Sequence, residues 1–153
     1  MNRNRWKKRG QAIVMVTVAL FAMCGLLGLA VDFGWSFFVK KAAQSAADAA
    51  ALAAATAAMN TVGPTGTFMC DGNVPCSLTQ CTGTLPGAFD VGCKYAAQNG
   101  FTSGGKNGKQ EVTIVAGTTA PPPTAPGVLS VYYWVTVRVT EQIPQLFSAV
   151  LGN

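Results

Sequence analysis

The 153-residue sequence contains no histidine. That removes the commonest general base and the commonest metal ligand together. It also makes a Ser-His-Asp set impossible. Charge is scarce, at 11 % of residues, and unevenly placed. Arg3, Arg5, Lys7, Lys8 and Arg9 fall in the first nine residues with no acid among them. The six remaining cations are balanced by six acids, so the pI of about 9.1 reports a short basic tail. A nucleic-acid surface would need Lys and Arg gathered on one folded face, and no such cluster exists. Gly104-Gly105-Lys106 lacks the frame of a phosphate-binding loop. No catalytic residue, cofactor, metal ion or small-molecule substrate is expected from this inventory.

What the sequence does have is a long uncharged run, Ala12 to Val31. Twenty helical residues rise roughly 30 Å, about the thickness of a bilayer's hydrocarbon core. Thr17 is its one strongly polar group, and its hydroxyl can bond back to its own helix. Five cations before the run against Lys40 and Lys41 after it predict a cytoplasmic N-terminus and an exported remainder. Two processed forms compete with this anchor. A signal peptidase could cut at Gly28-Leu29-Ala30, although the run exceeds an ordinary signal core. A lipoprotein reading fails at Met23, which stands where a small residue should precede Cys24.

Past the run, from Phe37 to Met59, there is no glycine or proline, and alanine fills more than half of Ala42 to Ala58. Alanine is the best helix former. One helix is therefore predicted from about Gln11 to Asn60, with a membrane span at 12–31 and an alanine-rich extension at 35–59. Asn60, Gly63 and Pro64 supply the stop. Small side chains admit a neighbouring helix at close range. Ala43, Ala47, Ala51 and Ala55 form one such row. Phe38, Ala42, Ser45, Ala49, Leu52, Thr56 and Met59 form a seam at alternating spacing of four and three. Lys41, Gln44 and Asp48 mark a polar stripe beside it. Candidate helix-packing residues are Gly25, Gly28, Asp32, Gln44, Ala47, Asp48, Ala51 and Leu52. Packing of this helix on its own domain is the plainer alternative. Asp32, at the outer edge of the span, suits either an ion pair with another helix or simple solvation.

Five cysteines divide by place. Cys24 lies inside the run and reads as a small packing residue. Cys70, Cys76, Cys81 and Cys93 lie close together, beyond the membrane, where an even number reads as two disulfides in one of three pairings. A four-thiolate zinc site is the competitor, but the spacing C-x5-C-x4-C-x11-C has no C-x2-C knuckle.

Residues 61–153 are predicted to form a small α+β head. Residues 61–88 are rich in turn formers and read as loop. Asp90 is placed to cap a short helix, Val91 to Gln98, ending at Asn99-Gly100, with Cys93 tying it to the loop. A turn at Thr102 to Lys109 precedes a strand, Glu111 to Ala116. A stiff proline-rich connector, Thr118 to Gly127, leads to a second strand, Leu129 to Glu141. That strand sets Val131, Tyr133, Val135, Val137 and Val139 on one face. Tyr132 and Trp134 share the other face and read as core or subunit contact. Gln142 to Leu151 reads as a strand ending in a short apolar helix.

Arg9-Gly10-Gln11-Ala12, the apolar span, Gly28-Leu29-Ala30-Val31-Asp32-Phe33-Gly34 and the stretch Lys40 to Ala55 together resemble the N-terminal region of TadG-like proteins. Those belong to the tight-adherence (Flp-type) pilus assembly systems of bacteria. Tyr95 to Gly100 and Val135 to Thr140, then Ile143-Pro144 to Gly152, resemble the family more loosely. Many such proteins continue into a large domain, often of von Willebrand factor A type, which is not expected within these residues. The resemblance implies a non-catalytic, pseudopilin-like component, anchored in the bacterial inner membrane with its head in the periplasm. Its partners would be the membrane and pilin-like helices, including copies of itself. A filament-forming subunit cut by a prepilin peptidase between Gly10 and Gln11 is the alternative. Met15 stands where pilins carry a glutamate, which favours the uncut form. A cell-envelope enzyme or metal-binding protein is the further alternative.

Overall fold

The computed structural model describes residues 5–64, 66–118 and 132–145, with side chains described from Gln11 onward. The chain is α+β: a long apolar helix, then short helices and a three-stranded antiparallel sheet. Helix α1 spans Arg5–Val62. Its residues up to Phe38 belong to one compact unit, and Val39–Ile143 forms the other.

In the first unit the predicted back-bond is present: the Thr17 hydroxyl donates to the Ile13 carbonyl at 2.9 Å. This satisfies a polar side chain without a partner helix. Trp35 and Phe38 stack with ring centroids 5.8 Å apart.

In the second unit α1 continues two residues past Asn60. Gly63, at φ 73°, closes it by donating its N–H to the Met59 carbonyl at 2.9 Å. A left-handed residue at this place satisfies one of the helix's last carbonyls, and glycine adopts that conformation without steric cost. Two elements follow: β1, Thr79–Gln80, and α2, Gly87–Gln98. Next come a single turn, α3, at Gly105–Gly108, and the strands β2, Gln110–Gly117, and β3, Trp134–Glu141. The strand order is β1-β2-β3. Gln110 pairs with Glu141 and Gly117 with Trp134. The Trp134 ring lies over Gly117, where a Cβ would come within 2.6 Å of it.

The core forms where α1 and α2 cover one face of the sheet. Ala46, Ala50, Ala54 and Ala58 are fully buried, one turn apart along α1. Ala46 and Ala50 meet Ala96, Phe101 and Val112, with Val137 and Val139 against them. Ala54 meets Phe89, Ile114 and Ala116, with Tyr133 and Val135 against them. Ala58 meets Val74 and Ala88. Alanine suits this seam because a bare methyl lets the α1 backbone approach the sheet and α2.

Several expectations are corrected. The region 61–88 is not all loop. β1 pairs Thr79 with Ile114 of β2, and a two-residue strand leaves no periodicity to read. Asp90 caps nothing: α2 begins at Gly87, and Asp90 instead pairs with Lys94 one turn on, at 2.5 Å. The predicted helix end holds. Gly100, at φ 89°, and Phe101 donate to Ala97 and Ala96, the paired bonds of a Schellman closure. Gln142 to Gln145 is neither strand nor helix. Residues 119–131 and 146–153 lie outside the described residues. So do the greater part of the proline-rich connector, the start of the second predicted strand and the terminal apolar helix.

Candidate functional site

The feature that needs explaining is the first half of α1. From Ile13 to Phe38 sixteen large hydrophobic side chains are exposed. The helix is long and apolar enough to cross a membrane: an 18-residue stretch reaches a mean hydropathy of 2.5, and only 6 % of it is buried. Each such side chain gains roughly 1.5–3 kcal/mol on leaving water, so the run favours lipid by tens of kcal/mol. A soluble domain hides its apolar helix. This one is uncovered.

Arg3 lies outside the described residues, and Arg5, Lys7, Lys8, Arg9 and Gly10 are described as helical backbone only. Gln11 is exposed. Gly25 is exposed, with nothing within 4 Å of where its Cβ would stand, while Gly28 is buried. Asp32 is half-buried and Cys24 is an exposed free thiol.

On the second half of α1, the residues singled out for packing separate onto different faces. Gln44, Asp48 and Leu52 are exposed; Gln44 lines a groove beside β3 and Leu52 one beside α2. Ala47 and Ala51 are half-buried on the flanks, as are Ala43 and Ala55. The fully buried row, 46-50-54-58, was not singled out. The sequence did hold a signal for it: Lys41, Gln44, Ser45, Asp48 and Thr56 mark the water side, so the purely alanine face opposite them should be the covered one.

The cysteines pair as Cys70–Cys76 and Cys81–Cys93, with Cα separations of 5.4 Å in each. All four soluble thiols are thereby spent as bridges, and a thiolate zinc site cannot form from them. Cys81–Cys93 ties the end of β1 to α2 beside the Ala54–Phe89–Ile114 cluster, as the expected loop-to-helix bridge. Cys70–Cys76 closes a loop in which the Asp71 Oδ1 accepts from the Asn73 and Val74 N–H groups, both at 2.8 Å. That turn drives Val74 into the core, 2 % exposed.

One buried polar cluster stands out. The Gln110 amide donates to Glu141 Oε2 at 2.8 Å and to the Gly100 carbonyl at 3.3 Å. Its oxygen accepts from the Thr102 N–H at 3.3 Å. Lys106 Nζ reaches Glu141 Oε1 at 2.5 Å. Burial pushes the Glu141 carboxyl up, but the hydrogen bonds from Lys106 and Gln110 and the Lys106 charge outweigh it, so the group sits below its ordinary value. Every member is engaged by its neighbours, so the cluster pins the turn before β2 to the end of β3. Tyr133 is different. Its ring stacks on Phe68 at 5.0 Å, its hydroxyl is buried without a hydrogen-bond partner among the described residues, and burial raises its pKa.

The described residues thus offer an uncovered apolar helix, a solvent-facing stripe and a stapled head, and no assembled catalytic group. Residues 10–57 match the Tad family model, putative Flp pilus-assembly TadE/G-like. The match covers about a third of the chain, takes in both the apolar run and the alanine stretch, and stops just before Ala58. No curated protein and no solved structure matches the chain. The TadE/G-like segment connects the protein to Flp pilus assembly, and its helix makes membrane anchorage the coherent reading of the exposed apolar run. Within it, Gly28 to Gly34 and Lys40 to Ala55 carry the pattern named above.

Proposed function

We propose that the protein is a non-catalytic, pseudopilin-like component of a Tad/Flp-type pilus assembly system. It is held in the inner membrane by α1 and acts through helix packing. The observation that carries this reading is the uncovered apolar half of α1 lying inside the TadE/G-like segment. A catalytic protein would need converging polar groups in a cleft; here the buried polar groups serve the fold. The basic tail stays in the cytoplasm and the head enters the periplasm, because Lys and Arg resist translocation. An oxidising compartment agrees with two disulfides in so small a head.

A periplasm-active reporter fused after Asn153, in cells that also make the other pilus-assembly proteins, tests the orientation. Activity is expected; a silent fusion with an active cytoplasmic control reverses the topology. Mass spectrometry of the mature N-terminus separates the two membrane readings. Retained Met1 supports the anchor, and Gln11 as first residue supports a subunit processed after Gly10.

A further inference from the structure

Burial along α1 switches between two neighbouring residues. Phe38 is exposed, and Val39, at 5 % exposure, is buried. Between the end of the apolar run at Val31 and that switch stand four aromatic side chains: Phe33, Trp35, Phe37 and Phe38. Each is 50–67 % exposed, and Trp35 and Phe38 are stacked on one another. No charge intervenes between Asp32 and Lys40. At about 100° per residue, the four rings leave the helix over roughly 200° of its circumference. One packed neighbour covers a stripe of about 100°. A single helix or sheet therefore leaves some of these rings bare, whereas a fluid lipid layer covers them all.

Depth agrees with direction. Ala12 to Val31 matches a hydrocarbon core of about 30 Å, and a bilayer with its headgroup layers measures about 40–45 Å. Each headgroup layer is thus roughly 5–8 Å deep. Val31 to Phe38 climbs roughly 10 Å. Helical side chains lean toward the N-terminus, however, so the rings of Phe37 and Phe38 lie deeper than their own Cα atoms and within that layer. Indole, polar at its N–H and apolar elsewhere, is enriched at this level of a membrane. We propose that Phe33, Trp35, Phe37 and Phe38 form a collar bedded in the phospholipid headgroup layer, at the end of the span remote from the basic tail. The lipid surface is the collar's partner. The collar carries the membrane boundary from Val31 on to Phe38. It also fixes the depth and rotation at which α1 rides, since interfacial aromatic residues help to set both. It presupposes the membrane anchor proposed above and adds where the lipid ends.

The test uses the full chain in vesicles of phosphatidylethanolamine and phosphatidylglycerol. Subtracting the emission of the Trp35→Phe chain from that of the parent isolates Trp35 from Trp6 and Trp134. Bromine carried on the lipid near the headgroup is expected to quench that component more than bromine near the chain end. Aqueous iodide is expected to quench it little. Iodide quenching as strong as that of free tryptophan puts the collar in water and overturns the proposal. Stronger quenching from the chain end, or none from either lipid, overturns it too, because the ring is then deep in hydrocarbon or covered by protein. Labelling with a membrane-impermeant maleimide on both sides of the vesicles gives a second measurement. Cys24 of the parent chain, an exposed thiol inside the apolar run, should stay unlabelled. In a Cys24→Ser background, Phe37→Cys should react at least roughly tenfold more slowly than Lys40→Cys, as a side chain held out of water does. Equal rates at the two positions, with Cys24 protected, refute the collar and leave the anchor standing. Labelling of Cys24 itself refutes both.

Discussion

Gly92 is the point at which the crossing of α1 and α2 can be tested most sharply. It is buried on α2. A Cβ built there would lie 2.9 Å from the Ala54 Cβ, 3.0 Å from the Ile114 Cδ1 and 3.1 Å from the Ala50 carbonyl oxygen. Carbon atoms prefer about 3.5–4.0 Å, so all three contacts are too short. Ile114 can swing its terminal methyl aside. Ala54 and Ala50 cannot move, because their atoms belong to the helical frame of α1. Two effects then oppose each other in Gly92→Ala. The helix gains about 1 kcal/mol from replacing glycine by alanine. Overpacking a fitted site costs about 1–3 kcal/mol. The contact is expected to win, leaving the head about 1 kcal/mol less stable, a fall of roughly 4–8 °C in Tm for a domain of this size. The assay is thermal and denaturant unfolding of the detergent-solubilised chain with disulfides intact. Adding Ala54→Gly removes one of the rigid contacts, so the pair should show a favourable coupling of at least about 0.5 kcal/mol. If Gly92→Ala raises the Tm by the full propensity gain, α2 does not approach α1 as closely as described.

Glu141 and Asp90 both have pKa values held below the ordinary range. For Asp90 the cause is the hydrogen bond from Lys94, which outweighs some desolvation. A depressed carboxylate contributes stability above its unfolded value, about 4.5 for Glu141, and loses it as pH falls through the lower folded value. Head stability should therefore decline below about pH 4.5, and Lys106→Met should flatten that decline when unfolding is followed against pH. Replacing Cys81 and Cys93 by serine should cost about 3 kcal/mol, and replacing Cys70 and Cys76 a little over 2 kcal/mol, because the first pair closes the longer loop. Denaturant midpoints rank the two; a reversed order contradicts the loop argument. Tyr133→Phe removes a buried hydroxyl that has no partner among the described residues and keeps the ring on Phe68. It should be neutral or stabilise by up to about 1 kcal/mol in the same unfolding assay, and a clear loss would mean that the hydroxyl is satisfied.

The amino-acid order by itself determined the elements whose causes are local. The apolar run at 12–31 is long enough to span lipid whatever surrounds it, and the alanine stretch is helical by propensity alone. Gly63 and Gly100 terminate helices because each sits where the chain turns left-handed. Val135, Val137 and Val139 alternate, so their common face was legible before any partner strand was known. The TadE/G-like pattern lies in the same local region. Tertiary structure decided the rest. Alanine occupies nearly every face of α1 between Ala42 and Ala58, so periodicity could not choose among rows. The choice of 46-50-54-58 was made by Gly92, Phe89 and Val112, which approach from sequence-distant elements. The same is true of the disulfide pairing and of β1. A pairing exists only in relation to everything folded around it, and no window of sequence contains that relation.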